Sequence, residues 1–195
     1  MQRRKYTVYI IGGIVGLLVI FFITSYNALV KREEKVIQQW AEVQNTYQRR
    51  LDLVPNLVNV VKGVSDFEQS TLEKIAAARA EALSGLSNTE LTAANIKKQS
   101  DLQDNLAVAA NRVIVLIEKY PSLKGTAAYA GLQTQLEGTE RRIKVARNDF
   151  NEAVASYNKR VRSFPSSVAA GLFGFTTKEG FESVAGSDKA VEIKF

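Results

Sequence analysis

Tyr6 to Ile23 (YTVYIIGGIVGLLVIFFI) runs for 18 residues without a charged side chain. As a helix, at ~1.5 Å per residue, it would be roughly 27 Å long, about the thickness of a hydrocarbon core. Tyr6, Tyr9 and Tyr26 fall near its ends, where aromatic belts form. A cleaved signal peptide would end in an A-x-A-like site; none follows Ile23, and a helical pattern runs on through SYNALVKREEKV. The sequence therefore predicts an uncleaved single-pass anchor over residues 6–25, behind a short basic N-terminus at 1–5. Gly12 and Gly16 form a GxxxG pair, a spacing that lets two membrane helices approach, although glycine is also simply common in such helices.

The net charge of +6 suggests nucleic acid until its distribution is read. Residues 1–32 hold five basic side chains (Arg3, Arg4, Lys5, Lys31, Arg32) and no acidic one, and the remainder holds 21 basic and 20 acidic residues. The basicity flanks the apolar segment, and the near-neutral remainder has no dense basic patch, so no nucleic-acid partner is expected. Arg3, Arg4 and Lys5 form the tighter cluster, which favours a cytoplasmic N-terminus and a domain on the periplasmic, extracytoplasmic side. His and Cys are both absent. That removes the usual ligands of zinc, copper, haem and iron–sulfur sites, Ser-His and Cys-His nucleophilic pairs, and disulfides. No catalytic residue, cofactor, metal or small-molecule substrate is expected.

Beyond the anchor the periodicity is helical throughout. Val36, Trp40, Val43, Tyr47, Leu51 and Val54 recur at intervals of three and four, as do Leu102, Leu106, Ala109, Val113, Leu116 and Tyr120. Tyr129, Leu136, Ile143, Phe150, Tyr157 and Phe164 are spaced by seven, with Leu132, Thr139, Ala146 and Ala153 on the second seam, a coiled-coil-like pattern. Punctuation divides the chain into four helical stretches. Ser65–Glu68 reads as a capping box, SGLSNT (84–89) as a turn with Thr89 capping the next helix, and Tyr120–Gly125 as a break before a helix from Thr126 to Phe164. A first helix from the membrane, kinked at Pro55, would reach Leu83. The expected fold is all-α: a transmembrane helix continuing into an elongated antiparallel bundle of long helices over residues 26–164. An apolar tail at 165–182 then packs on the bundle, the membrane or a neighbour, and a flexible C-terminal tail at 183–195 follows.

YNALVKREEKVIQQWAEVQNTYQRRLDLVPNLVNVVKG (26–63) resembles the signature of the LemA family of bacterial single-pass membrane proteins. The resemblance continues through FEQSTLEKIAAARAEA (67–82), EKYPSLKG (118–125), ERRIKVARNDFNEAVASYN (140–158) and FPSSVAAGLFGF (164–175), nearly the whole chain. Phe67 stands where the family more often carries Tyr or His. The resemblance implies a helical bundle anchored in the bacterial inner membrane, without an established enzymatic activity, in an envelope or membrane-protease context.

The stretch QRRLDLVPNLVNVVKG (48–63) sets local rules against the global pattern. Arg50 stands on the seam of Leu29, Val36 and Val43, where an apolar residue belongs. Either its head snorkels to solvent, or it pairs with a carboxylate on a facing helix, Glu140 being the candidate beside seam residue Thr139. Pro55 lacks an N–H and clashes with the carbonyl of Leu51, so the helix either kinks or restarts with Asp52 as its cap. Both readings leave a bare carbonyl near Arg49 and Asp52, beside Asn56, as a bend or a docking point. In the tail, Phe173 and Phe175 are too apolar for a linker, and the alternating C-terminus VEIKF (191–195) is a remote candidate for strand addition to a partner.

The function expected from these features is a non-enzymatic membrane-anchored scaffold or adaptor that self-associates. Its partners would be the lipid bilayer, further copies of the chain, and an envelope or membrane-protease protein. The alternatives are a ring-forming, membrane-remodelling homo-oligomer and, against the scattered placement of the acidic residues, a carboxylate-dependent hydrolase.

Overall fold

A computed structural model of the chain describes residues 2–62, 68–88 and 90–182. These form six helices: α1 (Gln2–Val61), α2 (Gln69–Leu86), α3 (Ala93–Ile117), the single turn α4 (Pro121–Lys124), α5 (Ala127–Arg162) and α6 (Ser166–Phe173). No strand occurs among the described residues.

α1 is one helix of 60 residues, and its first part, beginning near Tyr9, is long and apolar enough to cross a membrane. Ile14, Leu17 and Ile20 are exposed there, as a lipid-facing surface must be. Nothing lies within 4 Å of a side chain added at Gly12 or Gly16, so this pair packs against no other element among the described residues. From Ser25 onward the same helix turns one face inward: Leu29, Val36, Trp40, Val43, Tyr47, Leu51 and Val54 are all buried.

α5 runs antiparallel to this half of α1. Arg32 meets Ser156, Tyr47 meets Arg147, and Arg50 meets Glu140, so partner numbers fall as α1 numbers rise. The residues spaced by seven are buried from Tyr129 to Tyr157, with Leu132, Thr139, Ala146 and Ala153 beside them. Phe164 is the exception, 84% exposed, because α5 ends at Arg162 and the register ends with it. α2 and α3 pack together over the end of α1 and α5 farther from the apolar span.

Four expectations are corrected. The first helix ends at Val61 rather than Leu83, and α2 starts anew at Gln69. There are six helices rather than four among the described residues, because the turn after Tyr120 and the apolar tail each form a short one. Thr92, not Thr89, caps α3, its hydroxyl accepting from the Asn95 N–H; Thr89 itself lies outside the described residues. The inner face of α3 is Gln99, Gln103, Leu106, Ala110, Val113 and Ile117, one step round from the apolar count, with Leu102, Ala109 and Leu116 at its flank. Ser65, Asp66 and Phe67 of the capping box, the tail 183–195 and the VEIKF terminus lie outside the described residues. Glu68 precedes α2 without a side-chain bond to its backbone, and accepts instead from the hydroxyls of Ser70 and Thr71.

The core has two halves. The half far from the span joins all four long helices through Leu51, Leu57, Ile75, Leu106, Val113, Tyr129 and Leu136. The half nearer the span is chiefly α1 against α5, through Val36, Trp40, Tyr47, Ile143, Phe150 and Tyr157. Two helices alone leave their seam open on both sides. Here Ala170 of α6, with Phe175 and Phe181 beyond it, closes one side.

Candidate functional site

The two apolar halves meet at a polar layer. Arg50 follows Tyr47 and precedes Leu51 on α1, Thr139 and Glu140 lie between Leu136 and Ile143 on α5, and Gln99 and Gln103 precede Leu106 on α3. Arg50, Gln99, Gln103 and Thr139 are each at most 2% exposed. Arg50 Nη1 donates to the Gln103 carbonyl at 2.8 Å and to its side-chain Oε1 at 3.3 Å, while Nη2 pairs with Glu140 Oε2. The pair is asymmetric: Arg50 is 2% exposed and Glu140 50%. Arg50 Nε, Gln103 Nε2 and Gln99 Oε1 are buried without a protein hydrogen-bond partner. A core that admits such groups gives up stability, and the tested compensation elsewhere is a fixed register between helices.

Two turns along α5, Arg147 joins four parts of the chain. Its Nε donates to the Tyr47 hydroxyl of α1 at 2.9 Å, and its Nη2 pairs with Asp104 of α3 at 2.9 Å. Its guanidinium stacks 5.4 Å from the centroid of the Tyr47 ring and 5.3 Å from that of Phe181. Burial pushes the Tyr47 hydroxyl up, against the opposing pull of Arg147. For Arg147 itself burial acts downward, and Tyr47 and Asp104 more than offset it, so its pKa is raised.

Residues 174–182 form an extended strap along α5. Asn158 donates to the Lys178 carbonyl at 2.7 Å and accepts from its N–H at 2.9 Å; Asn151 does the same for Phe181 at 3.2 and 2.8 Å. Each side-chain amide thus replaces a neighbouring strand's peptide group. The spacing fits: seven helical residues rise ~10.5 Å and three extended residues ~10 Å. Tyr157 donates to the Thr176 carbonyl, and Lys178 pairs with Glu33 of α1. Phe181 packs against Trp40 and Phe150, with centroids 6.0 and 5.5 Å away. A Cβ at Gly180 would sit 2.5 Å from Asn151 Oδ1, so a larger residue there must displace the Asn151 amide that holds the strap. Gly174, at φ 76°, ends α6 in the left-handed conformation and starts the strap.

Pro55 lies inside α1, which neither ends nor restarts there, so Asp52 is not a cap. Asp52 is exposed and accepts from Gln48 Nε2 at 2.8 Å. The Leu51 carbonyl, left without its helical donor, accepts Arg79 Nε of α2 at 3.0 Å. The carbonyl that the sequence leaves bare is therefore closed by the protein's own arginine. Arg49 and Asn56 are exposed and take no part in the polar layer. Phe173 and Phe175 lie away from it, at the apolar span, where both rings meet Tyr26 edge to face. Sequence reasoning missed Arg79, Gln103, Arg147, Asn151 and Asn158. The seven-residue spacing of the two asparagines, each following a buried aromatic, was the available signal.

A groove of about 950 Å³ opens beside the layer between α3, α5 and the strap, lined among others by Arg50, Lys97, Asp101, Lys144 and Glu179. Its charges are of both signs. Glu140 and Asp104, its inner carboxylates, are held by Arg50 and Arg147. Among the described residues no three Asp or Glu side chains are grouped to hold a metal ion.

A sequence model described as "LemA family" matches residues 39–195. Three curated relatives align over most of the chain. Magnetosome protein MamQ of Magnetospirillum gryphiswaldense is 24% identical over 90% of this chain and 72% of its own. Magnetosome protein MamQ 2 of Paramagnetospirillum magneticum is 24% identical over 85% and 68%. Protein LemA of Metamycoplasma hominis is 23% identical over 77% and 65%.

Proposed function

This chain belongs to the LemA family, and from that premise we propose that it is a non-enzymatic, membrane-anchored scaffold or adaptor that holds a helical bundle at a fixed height and orientation above the bilayer. The observation that carries this reading is the continuity of α1: the apolar span and the central helix of the bundle are one helix. A hinged anchor would let a catalytic domain search for substrate, whereas a continuous helix keeps the bundle in register with the membrane. The bundle rises roughly 54 Å along α5, at ~1.5 Å per residue. The soluble part lies on the extracytoplasmic side of the bacterial inner membrane, as the Arg3–Lys5 cluster favours. Copies of the chain associate there, and an envelope or membrane-protease protein is the further partner.

Two features support a non-catalytic role. The chain has no His or Cys, and the inner carboxylates of the groove are bound to arginines. The test is crosslinking in intact membranes from a photoreactive residue at Asp101 in the groove and at Val145 on the outer face of α5. A scaffold gives discrete adducts to itself and to a defined set of membrane proteins. A chain that remains uncrosslinked at both positions contradicts the proposal. Adducts to itself alone would favour the assembly reading over the adaptor.

A further inference from the structure

α6 is packed inside out. It turns its small residues Ser166, Ala169 and Ala170 inward, and leaves Val168 and Leu172 54% and 68% exposed, with Phe173 partly so and Phe164 ahead of the helix nearly bare. A helix on a water-facing surface buries its large apolar residues and shows polar ones. Residues 163–177 around it contain no charged side chain. The arrangement is unfavourable in water and favourable against lipid.

Its position supplies the occupant. Phe173 lies edge-on to Phe22 and Tyr26, with centroids 6.3 and 5.1 Å away. Both belong to the last turns of the apolar part of α1. The exposed side chains of α6 therefore lie beside the end of the apolar part of α1, where Ile23 is also exposed. Exposed Lys159 and Arg162, at the end of α5, and Lys31 and Arg32 on α1 follow directly on the bundle side, at the level of phosphate headgroups.

We infer that α6 is a second membrane contact, an interfacial helix whose Phe164, Val168, Leu172 and Phe173 enter the boundary between headgroups and acyl chains beside α1. It rests on the reading of α1 as a membrane-spanning helix. Mechanically it supplies a lateral foot: α1 alone fixes one line through the bilayer, and a second contact off that axis resists tilt and rotation. The strap continues from α6 through Gly174 to Phe181 beside Arg147, so the foot is tied to the polar layer through bonded structure.

The absence of cysteine makes the test direct. Single variants Leu172→Cys, Val168→Cys, Ile14→Cys and Val108→Cys of the full chain are nitroxide-labelled and placed in liposomes of neutral and anionic phospholipid. Collision with oxygen, which concentrates in the bilayer, is compared with collision with a water-soluble nickel chelate. Labels at Leu172 and Val168 are expected to follow Ile14, with nickel collision several-fold below that at Val108 and oxygen collision raised. Nickel access at Leu172 and Val168 equal to that at Val108, with Ile14 shielded, overturns the inference and leaves the anchor intact. Shielding of Leu172 from both reagents also overturns it, because protein then covers α6. Nickel access at Ile14 itself overturns the anchor.

Discussion

Arg79 of α2 donates its Nε to the main-chain carbonyl of Leu51 at 3.0 Å, the carbonyl that Pro55 leaves without a helical donor. The irregularity in α1 thereby becomes the attachment point of the next helix. Replacing Arg79 with Met removes this charged donor and is expected to cost about 1–3 kcal/mol, the penalty for a stranded buried acceptor. Pro55→Ala returns an N–H to the helix and should make the Arg79 change cheaper by about 1 kcal/mol. A double-mutant cycle in urea reads this coupling; strictly additive effects would show that Arg79 does not serve the proline defect.

The Arg50–Glu140 pair predicts an unequal response. Glu140→Ala leaves the Arg50 guanidinium buried with Gln103 as its remaining partner, which costs about 3 kcal/mol. Arg50→Met removes the buried charge and leaves a half-exposed carboxylate in water, with a change within about 1.5 kcal/mol in either direction. Thermal melts of both variants decide it, and equal losses would contradict the asymmetric burial.

The strap depends on two asparagines and one glycine. Asn158→Asp or Asn151→Asp removes the donor to the strap carbonyl, and Gly180→Ala forces a collision with Asn151. In each variant, hydrogen exchange at the Lys178 and Phe181 amides should accelerate by tenfold or more, about 1.4 kcal/mol of lost protection. The amides of α1 and α5 should keep theirs. Unchanged exchange at 178 and 181 would mean that the strap is held by Phe181 alone.

Tyr157 is buried, and burial, with Glu33 adding to it, pushes its pKa from 10.0 up to about 12. The folded protein holds this proton more tightly than the unfolded chain, so the associated stability is complete below pH 10 and is lost as pH rises through about 12. Tyr47 is raised in the same direction by its own burial. The urea midpoint should be level from pH 7 to 9 and fall above pH 10, with a shallower fall in Tyr157→Phe. Parallel slopes in the two proteins would remove Tyr157 as a source.

Much of the architecture can be read in the sequence because it rests on periodicity. Tyr129, Leu136, Ile143, Phe150 and Tyr157 keep one spacing over four seven-residue steps, and a helix places them on one face. α3 is harder to read, because the polar layer puts Gln99 and Gln103 on the inner face and pushes the apolar count towards Leu102 and Ala109. Arg50 and Glu140 stand out as exceptions to a seam. Arg79 and Arg147 do not, since a cation beside a seam usually faces solvent and only tertiary contacts show which ones turn inward. The strap is the least legible element: Asn151 and Asn158 read as ordinary polar helix positions until residues 174–182 are seen beside them.

The central claim is that anchor and bundle are one rigid body through α1. Spin labels at Ile23→Cys and Gln48→Cys, 25 residues apart on almost the same face, would lie about 38 Å apart in an unbroken helix, at ~1.5 Å per residue. Pulsed electron–electron double resonance on the full chain in liposomes measures this distance. A single narrow distribution near that value is expected. A broad or two-peaked distribution would place a hinge where α1 leaves the membrane and contradict the account.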